Sequence, residues 1–386
     1  MIRVPNNAYS EMTENLYLDY NATAPLHPDA IAAMQDAFHA PANPSSVHRH
    51  GRSARARLER ARNQLASALS VRASDITFTS GGTEASNMVL AGYQHIITSE
   101  IEHDAVLAAS PDAQRIRTSP DGVVDLSHLK SLLGGVDAQT APATLVSVMG
   151  ANNETGAIQP VQEIAALCKE AGVHFHSDMV QLLGKKQLNL AQTGVDYASF
   201  SAHKIGGPAG VGAVYSAGAL RPTPVIRGGG QEQGSRSGTE NLIGIVGFGA
   251  AAEAALKGYA HFAQLAQWRD LAEQKLRAEA PEIEVIASNA DRLANTSALY
   301  LPFMRSEMAV MALDLAGFSI SAGAACSSGK MKPSHVISAM GMADKAGHVI
   351  RISSGWNTQR EEWMRLAEKL IEMYKSNRDR QAEAGR

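Results

Sequence analysis

Residues 174–204 read HFHSDMVQLLGKKQLNLAQTGVDYASFSAHK, and their two ends decide the fold. The first five residues alternate in the manner of a strand and stop at Asp178, with Gln181 just beyond. Lys204 follows the aspartate by 26 residues and closes a second strand-like run that also carries Ser201 and His203. Working outward, residues 75–215 repeat this pattern. DITFTS, HIITSE, TLVSVMGA, YASFSA and VGAVY are short β-branched runs, and TEASNMVLAGY and VQEIAALCKEAG are amphipathic stretches between them. Such alternation predicts an α/β fold with a mostly parallel sheet covered by helices on both faces. Ligands then belong at the carboxyl ends of the strands, where Asp178 and Lys204 both emerge.

A chain of 386 residues exceeds what one core usually supports. We expect a large domain over residues 15–255 and a smaller one over 256–386, with residues 1–14 packing on the latter. The net charge of −3, with acidic and basic residues interleaved, argues against direct nucleic-acid or membrane-surface binding. The first twenty residues lack the charged start and apolar core of a secretory signal, and LIGIVGFGAAAEAAL (242–256) is short for a bilayer and carries Glu253, so a cytoplasmic protein without a membrane span is expected. The helical stretches 28–39 and 53–69 are expected to present their arginines and glutamates to solvent. Two cysteines make no disulfide framework and no zinc site, so no metal is expected. Cys168 occupies an apolar helical position and reads as core. Cys326 sits in GAACSSG between glycines, where an accessible thiol suits a nucleophile.

A lysine and an aspartate at two strand ends of one sheet are the pair that pyridoxal phosphate requires. The amine forms a Schiff base, and the carboxylate keeps the pyridine nitrogen protonated so that the ring accepts electrons. TSGGTEASN (79–87) adds glycines after a strand and Thr83 at a helix start, an anion site suited to a phosphate. His103 follows the strand HIITS at the same edge, placed to lie on a flat ring and exchange protons. Asn152, Asn153 and Glu154 leave the sheet there too, either as ligands or as turn formers. Arg351 closes an apolar run 25 residues after Cys326. Buried, it needs an anion, which is a substrate carboxylate or a structural salt-bridge partner.

In order, LDYNATAPLHP, NPSSVHRHGR, FTSGGTEASN, EH, NNETGAIQP, SDMVQ, SFSAHKIGGPAGVGAVY, GGGQEQGSRSGTEN, SAGAACSSG and IRISSG resemble the cysteine desulfurases of the NifS and IscS type, over residues 16 to about 357. The resemblance implies a fold-type I pyridoxal-phosphate transferase, with a seven-stranded, mostly parallel sheet in the large domain and a smaller α+β C-terminal domain. It implies that Lys204 carries the cofactor, Asp178 pairs with its ring nitrogen, His103 stacks on the ring and Gln181 bonds its phenolic oxygen. Gly82, Thr83, Ser201 and His203 would hold the phosphate, with Thr239 reaching the phosphate of a neighbouring subunit in a homodimer. Asn153 and Arg351 match positions that bind the substrate carboxylate, and Cys326 matches the nucleophile. The implied reaction turns L-cysteine into L-alanine and a persulfide on Cys326, destined for an acceptor or scaffold protein in iron–sulfur cluster biogenesis or tRNA thiolation. The alternatives are a selenocysteine lyase or related lyase on the same scaffold, and a non-catalytic binding protein of sulfur trafficking. One departure from the family stands in the motif: Met179 occupies a place where alanine is usual.

Overall fold

The structure, a computed structural model, describes residues 15–39, 43–323 and 333–384. Its centre is a seven-stranded sheet in the order 76–79, 212–216, 197–201, 174–178, 144–147, 95–99, 114–116. Neighbours pair in parallel, except that Gly212–Ser216 is antiparallel to both of its partners. The inner strands are buried on both faces, as their unbroken β-branched and aromatic runs predict.

Alternation assigns the two faces. Leu145, Tyr197 and Val214 pack on Ala85 and Val89 of the helix Gly82–Leu90. Val146, Ala198, Phe200 and Ala213 point the other way, into a core shared with Leu58, Leu65, Ile164, Ile245 and Phe248 from three further helices. Met179 is buried in that second core. Behind Asp178, His176 lies fully buried between Ser147 Oγ (2.9 Å) and Ser199 Oγ (2.8 Å), and burial pushes its pKa down to about 3.

The helix Leu242–Glu279 spans 38 residues, about 57 Å at the usual rise. By length and composition it is apolar enough to cross a bilayer, yet half of its most apolar window is buried inside the fold. Its glycines explain how: a Cβ on Gly247 would lie 2.8 Å from Met34 Cγ, and one on Gly249 would lie 2.6 Å from Ala61 Cα. The helices Pro28–Phe38 and Arg49–Leu69 therefore approach its backbone directly. The helix runs unbroken through residues 255 and 256 to a second core of Leu276, Leu299, Ile350, Ile352, Trp363 and Tyr374. That core sits on an antiparallel sheet in which Thr296–Tyr300 lies between Glu284–Val285 and Val349–Ser353, covered by the helix Arg360–Ala384. Leu16–Tyr17 pairs with Phe318–Ser319 and Asp19 bridges to Ser353, so the chain enters the large sheet's neighbourhood from the C-terminal unit.

One expectation fails on the helix 49–69. Arg62 is not a solvated charge: it is buried and forms a two-pronged pair with Glu232, at 2.8 and 2.7 Å, while also donating to Ile76 O. Glu232 Oε2 accepts the Phe78 N–H as well. The charged composition of the helix concealed this, because the partner of Arg62 comes from 170 residues away, in the glycine-rich segment.

Candidate active site

Five strand ends and their following loops converge on one cavity of about 490 Å³. Gly82 and Thr83 follow the strand 76–79, His103 follows 95–99, and Asn153 follows 144–147. Asp178 and Gln181 end and follow 174–178, and Ser201, His203 and Lys204 end and follow 197–201. Arg351, from the smaller sheet, closes the far wall with Asp19, Asn21, Ile320 and Ser321. Ten residues singled out in the sequence thus share one cavity.

The helix start at Gly82 has no side-chain cap. Glu84 reaches back to the Ser80 N–H at 2.8 Å and is held by Arg236 Nε at 2.9 Å. That leaves the first-turn N–H groups of Gly82 and Thr83 available to an anion. Glycine at 82 lets Val180 pack against the helix start, since a Cβ there would stand 2.9 Å from Val180 Cγ2.

Lys204 Nζ donates to the carbonyls of Asn21 and Ala22, both at 2.7 Å. Burial and then the Arg351 charge push its pKa down to about 8, against the opposite pull of Asp178 and Asp19. Asp178 is held above the usual carboxylate range by burial, opposed by the Val180 N–H at 3.0 Å and the charges of His103 and Lys204. His103 accepts the Ala105 N–H on Nδ1 at 3.0 Å, so the neutral ring carries its proton on Nε2. His203 meets Thr23 Oγ1 at 3.1 Å, and burial moves its pKa to about 4.

Arg351 is buried and has an internal anion: Nη2 donates to Asp19 Oδ1 at 2.5 Å and Nη1 to Asn153 O at 3.1 Å. Its Nε is buried with no partner among the described residues. Both readings of this residue therefore have structural content, since a salt bridge exists and Arg351 also lines the cavity. Together the cavity offers an anion seat, a depressed amine facing a carboxylate, an imidazole donor and a guanidinium.

The class-V aminotransferase family model matches residues 16–366. The chain belongs to that family. Within it the chain is similar to a cysteine desulfurase of Cereibacter sphaeroides, 42% identical over 370 residues covering 90% of this chain and 93% of the relative. It is also similar to the cysteine desulfurase IscS of Dictyoglomus turgidum, 36% identical over 94% of this chain and 95% of the other. The solved NifS-like protein of Rickettsia africae superposes with a TM-score of 0.86 at 34% identity, covering 95% of this chain and 99% of that one. The chain thus shares its fold and most of its length with NifS- and IscS-like enzymes of that family.

Thr239 is exposed on the segment that Arg236 ties to Glu84, outside the cavity. Cys326 lies outside the described residues; Gly323 is the last residue before it and Ser334 the second after the gap. Both meet Glu154: a Cβ on Gly323 would stand 2.9 Å from Glu154 Oε2, and Ser334 Oγ donates to the same oxygen at 2.6 Å. Met179, the departure from the family pattern, is buried in the sheet core and does not line the cavity, so it leaves the site unobstructed. Cys168 is buried, and its thiol is pushed up to about 12.

Sequence reasoning gave no role to Asp19, Asn21, Glu102 and Lys185. Asn21 is buried at the junction: its backbone carbonyl takes Lys204, its side-chain oxygen takes Lys185 (2.6 Å) and Asn295 (3.2 Å), and its amide donates to Asn153 O and Thr296 Oγ1. Glu102, beside His103, accepts from Ser99 Oγ and the Met149 N–H on one oxygen, and burial raises its pKa to about 8. No local pattern marks an asparagine in LDYNAT as a hub, because its partners come from four distant segments.

Proposed function

We infer that the protein is a cysteine desulfurase that converts L-cysteine to L-alanine and holds the released sulfur as a persulfide on Cys326. The observation that carries this is the shared cavity, in which Lys204 and Asp178 at adjacent parallel strand ends face an uncapped helix start and the buried guanidinium of Arg351. The residues fit pyridoxal phosphate. Lys204 suits its aldehyde, Asp178 its ring nitrogen, and His103 and Gln181 its ring and phenolic oxygen. Gly82, Thr83, Ser201 and His203 suit its phosphate, with the uncapped helix start at Gly82 supplying free N–H groups.

When bound, pyridoxal phosphate supplies an aldehyde that condenses with amines and a ring that takes up electrons from the substrate α-carbon. Lys204, neutral above pH 8, accepts the substrate's α-proton. Asp178 keeps a proton on the ring nitrogen. Arg351 and Asn153, both in the cavity wall, hold the substrate carboxylate. The Cys326 thiolate attacks the substrate sulfur. A sulfur–sulfur bond forms, the carbon–sulfur bond breaks, and its electron pair stays with the three-carbon skeleton, which takes up protons to become alanine. His103, with Nε2 protonated, is placed to serve that proton traffic. The persulfide then passes to an acceptor or scaffold protein of iron–sulfur cluster biogenesis or tRNA thiolation in the cytoplasm. The exposed position of Thr239 supports a homodimer in which it reaches the partner's phosphate seat, and the two cores support a division into a large and a small domain, with Leu18 packing in the core of the small one.

The test is an absorbance spectrum of the purified protein before and after L-cysteine, with alanine and sulfide assayed in the same tube. A visible cofactor band that changes as alanine forms supports the reading, and a band indifferent to cysteine removes it. The depressed lysine gives a second expectation. Attachment of pyridoxal phosphate to cofactor-free protein should accelerate with pH and level off just above 8, because only the neutral amine attacks an aldehyde. Stopped-flow absorbance reads this, and a rate still climbing into the ordinary lysine range would contradict the assigned environment.

A further inference from the structure

Four residues after Gln181, on the same face of the helical turns that follow the 174–178 strand, Lys185 is buried beneath the cavity floor. Its ammonium donates to Asn21 Oδ1 at 2.6 Å and to Gln181 Oε1, and no carboxylate is among its hydrogen-bond partners. A buried cation held only by two amide oxygens is an expensive arrangement. Burial lowers its pKa well below the usual value, and Lys204 and Arg351 lower it further.

The consequence lies in the amides. The backbone carbonyl of Asn21 only accepts, so the Gln181 atom facing it is Nε2, and Gln181 Oε1 turns to Lys185 Nζ, which supplies an N–H whether charged or neutral. Gln181 Nε2 then donates one N–H to Asn21 O at 3.0 Å, and the side chain lines the cavity with its second N–H uncommitted. An unrestrained glutamine could turn either end toward a ligand; this one cannot. The same amine donates to Asn21 Oδ1, while Asn21 Nδ2 donates to Asn153 O and Thr296 Oγ1.

We propose that Lys185 is a positioning residue that locks the Gln181 amide so that it presents a hydrogen-bond donor, never an acceptor, to the phenolic oxygen of the bound cofactor. This rests on the cysteine desulfurase reading. A fixed donor stabilises negative charge on that oxygen and so lowers the pH at which the cofactor's visible band titrates. Lys185 acts through Gln181 without touching substrate or cofactor.

A double-mutant cycle read by spectrophotometric pH titration tests this. In cofactor-loaded Lys185→Met the midpoint of the visible band should rise by about one pH unit. Lys185→Arg, whose head group also supplies N–H donors, should stay close to wild type. In the Gln181→Ala background, adding Lys185→Met should cause no further shift. An unmoved midpoint in Lys185→Met, or a shift of full size persisting without Gln181, overturns the proposal. Should Lys185→Met fail to fold, Lys185→Gln carries the test, because its amide offers an acceptor as readily as a donor. The midpoint is again expected to rise, and an unchanged one refutes the lock. Wild-type protein whose band ignores cysteine would sink the desulfurase reading instead, so the two failures are distinguishable.

Discussion

Lys204→Ala is expected to lower alanine formation from cysteine by roughly 10²- to 10⁴-fold, the range for removing a positioned proton-transfer group. The side chain has two assignments, covalent attachment of the cofactor and acceptance of the α-proton, and no neighbour can take them over. Lys185, the other buried amine at this junction, is committed to Asn21 and Gln181 and does not line the cavity. His203 is moved to about 4 and His103 is tethered at Nδ1. The variant should remain folded, because Lys204 Nζ bonds only two backbone carbonyls and makes no ion pair within 4.0 Å among the described residues. Borohydride reduction followed by mass spectrometry gives a readout independent of turnover. The wild-type peptide containing Lys204 should gain the mass of the reduced cofactor, and the variant should not. Turnover within tenfold of wild type would remove Lys204 from both roles.

Cys326→Ala should reduce sulfide and alanine production by at least about 10³-fold while leaving the visible band and cofactor content unchanged. The nucleophile is not part of the cofactor seat, so binding and the first proton transfer survive its loss. Cys168→Ala is the matching control. That thiol is buried and held up at about 12, so it is neither ionised nor accessible near neutral pH, and its removal should alter turnover less than twofold. Trapping experiments with an alkylating reagent should label Cys326 alone after brief exposure. Persistent desulfuration by Cys326→Ala would show that sulfur leaves without a protein persulfide.

Both variants come from residues that the sequence itself exposed. A strand reveals its direction by where its β-branched run stops, so Asp178, Ser201 and Lys204 were legible as members of one sheet edge before any coordinates. Gly82 and Thr83 were legible because glycine after a strand and threonine at a helix start have local causes. Met179 was the sequence's open question, and alternation along the strand answers it: Asp178 faces the cavity and the next residue faces the core.

Arg351 marks where local reading stops. Its place on an apolar strand announced that it needs an anion, but whether that anion is internal depended on Asp19, 332 positions away, and on how the C-terminal sheet packs on the first strand. Arg62 is a second case, read as surface because its own helix is charged, and buried because Glu232 comes back over it. Asn21 and Lys185 are the plainest. An asparagine in a loop and one lysine of a KK pair have no periodicity to betray them, and only the closure of the N-terminal segment against both sheets gives them partners.

The sequence by itself determined the strand ends, the chemical types gathered there and the family, because those depend on short-range alternation and on residue identity along contiguous motifs. The tertiary structure alone decided which buried charges are satisfied, which way the amides point and how far Lys204 is shifted. Those are fixed by distances between groups hundreds of residues apart and by the loss of water around them, and neither quantity is written in any local stretch of chain.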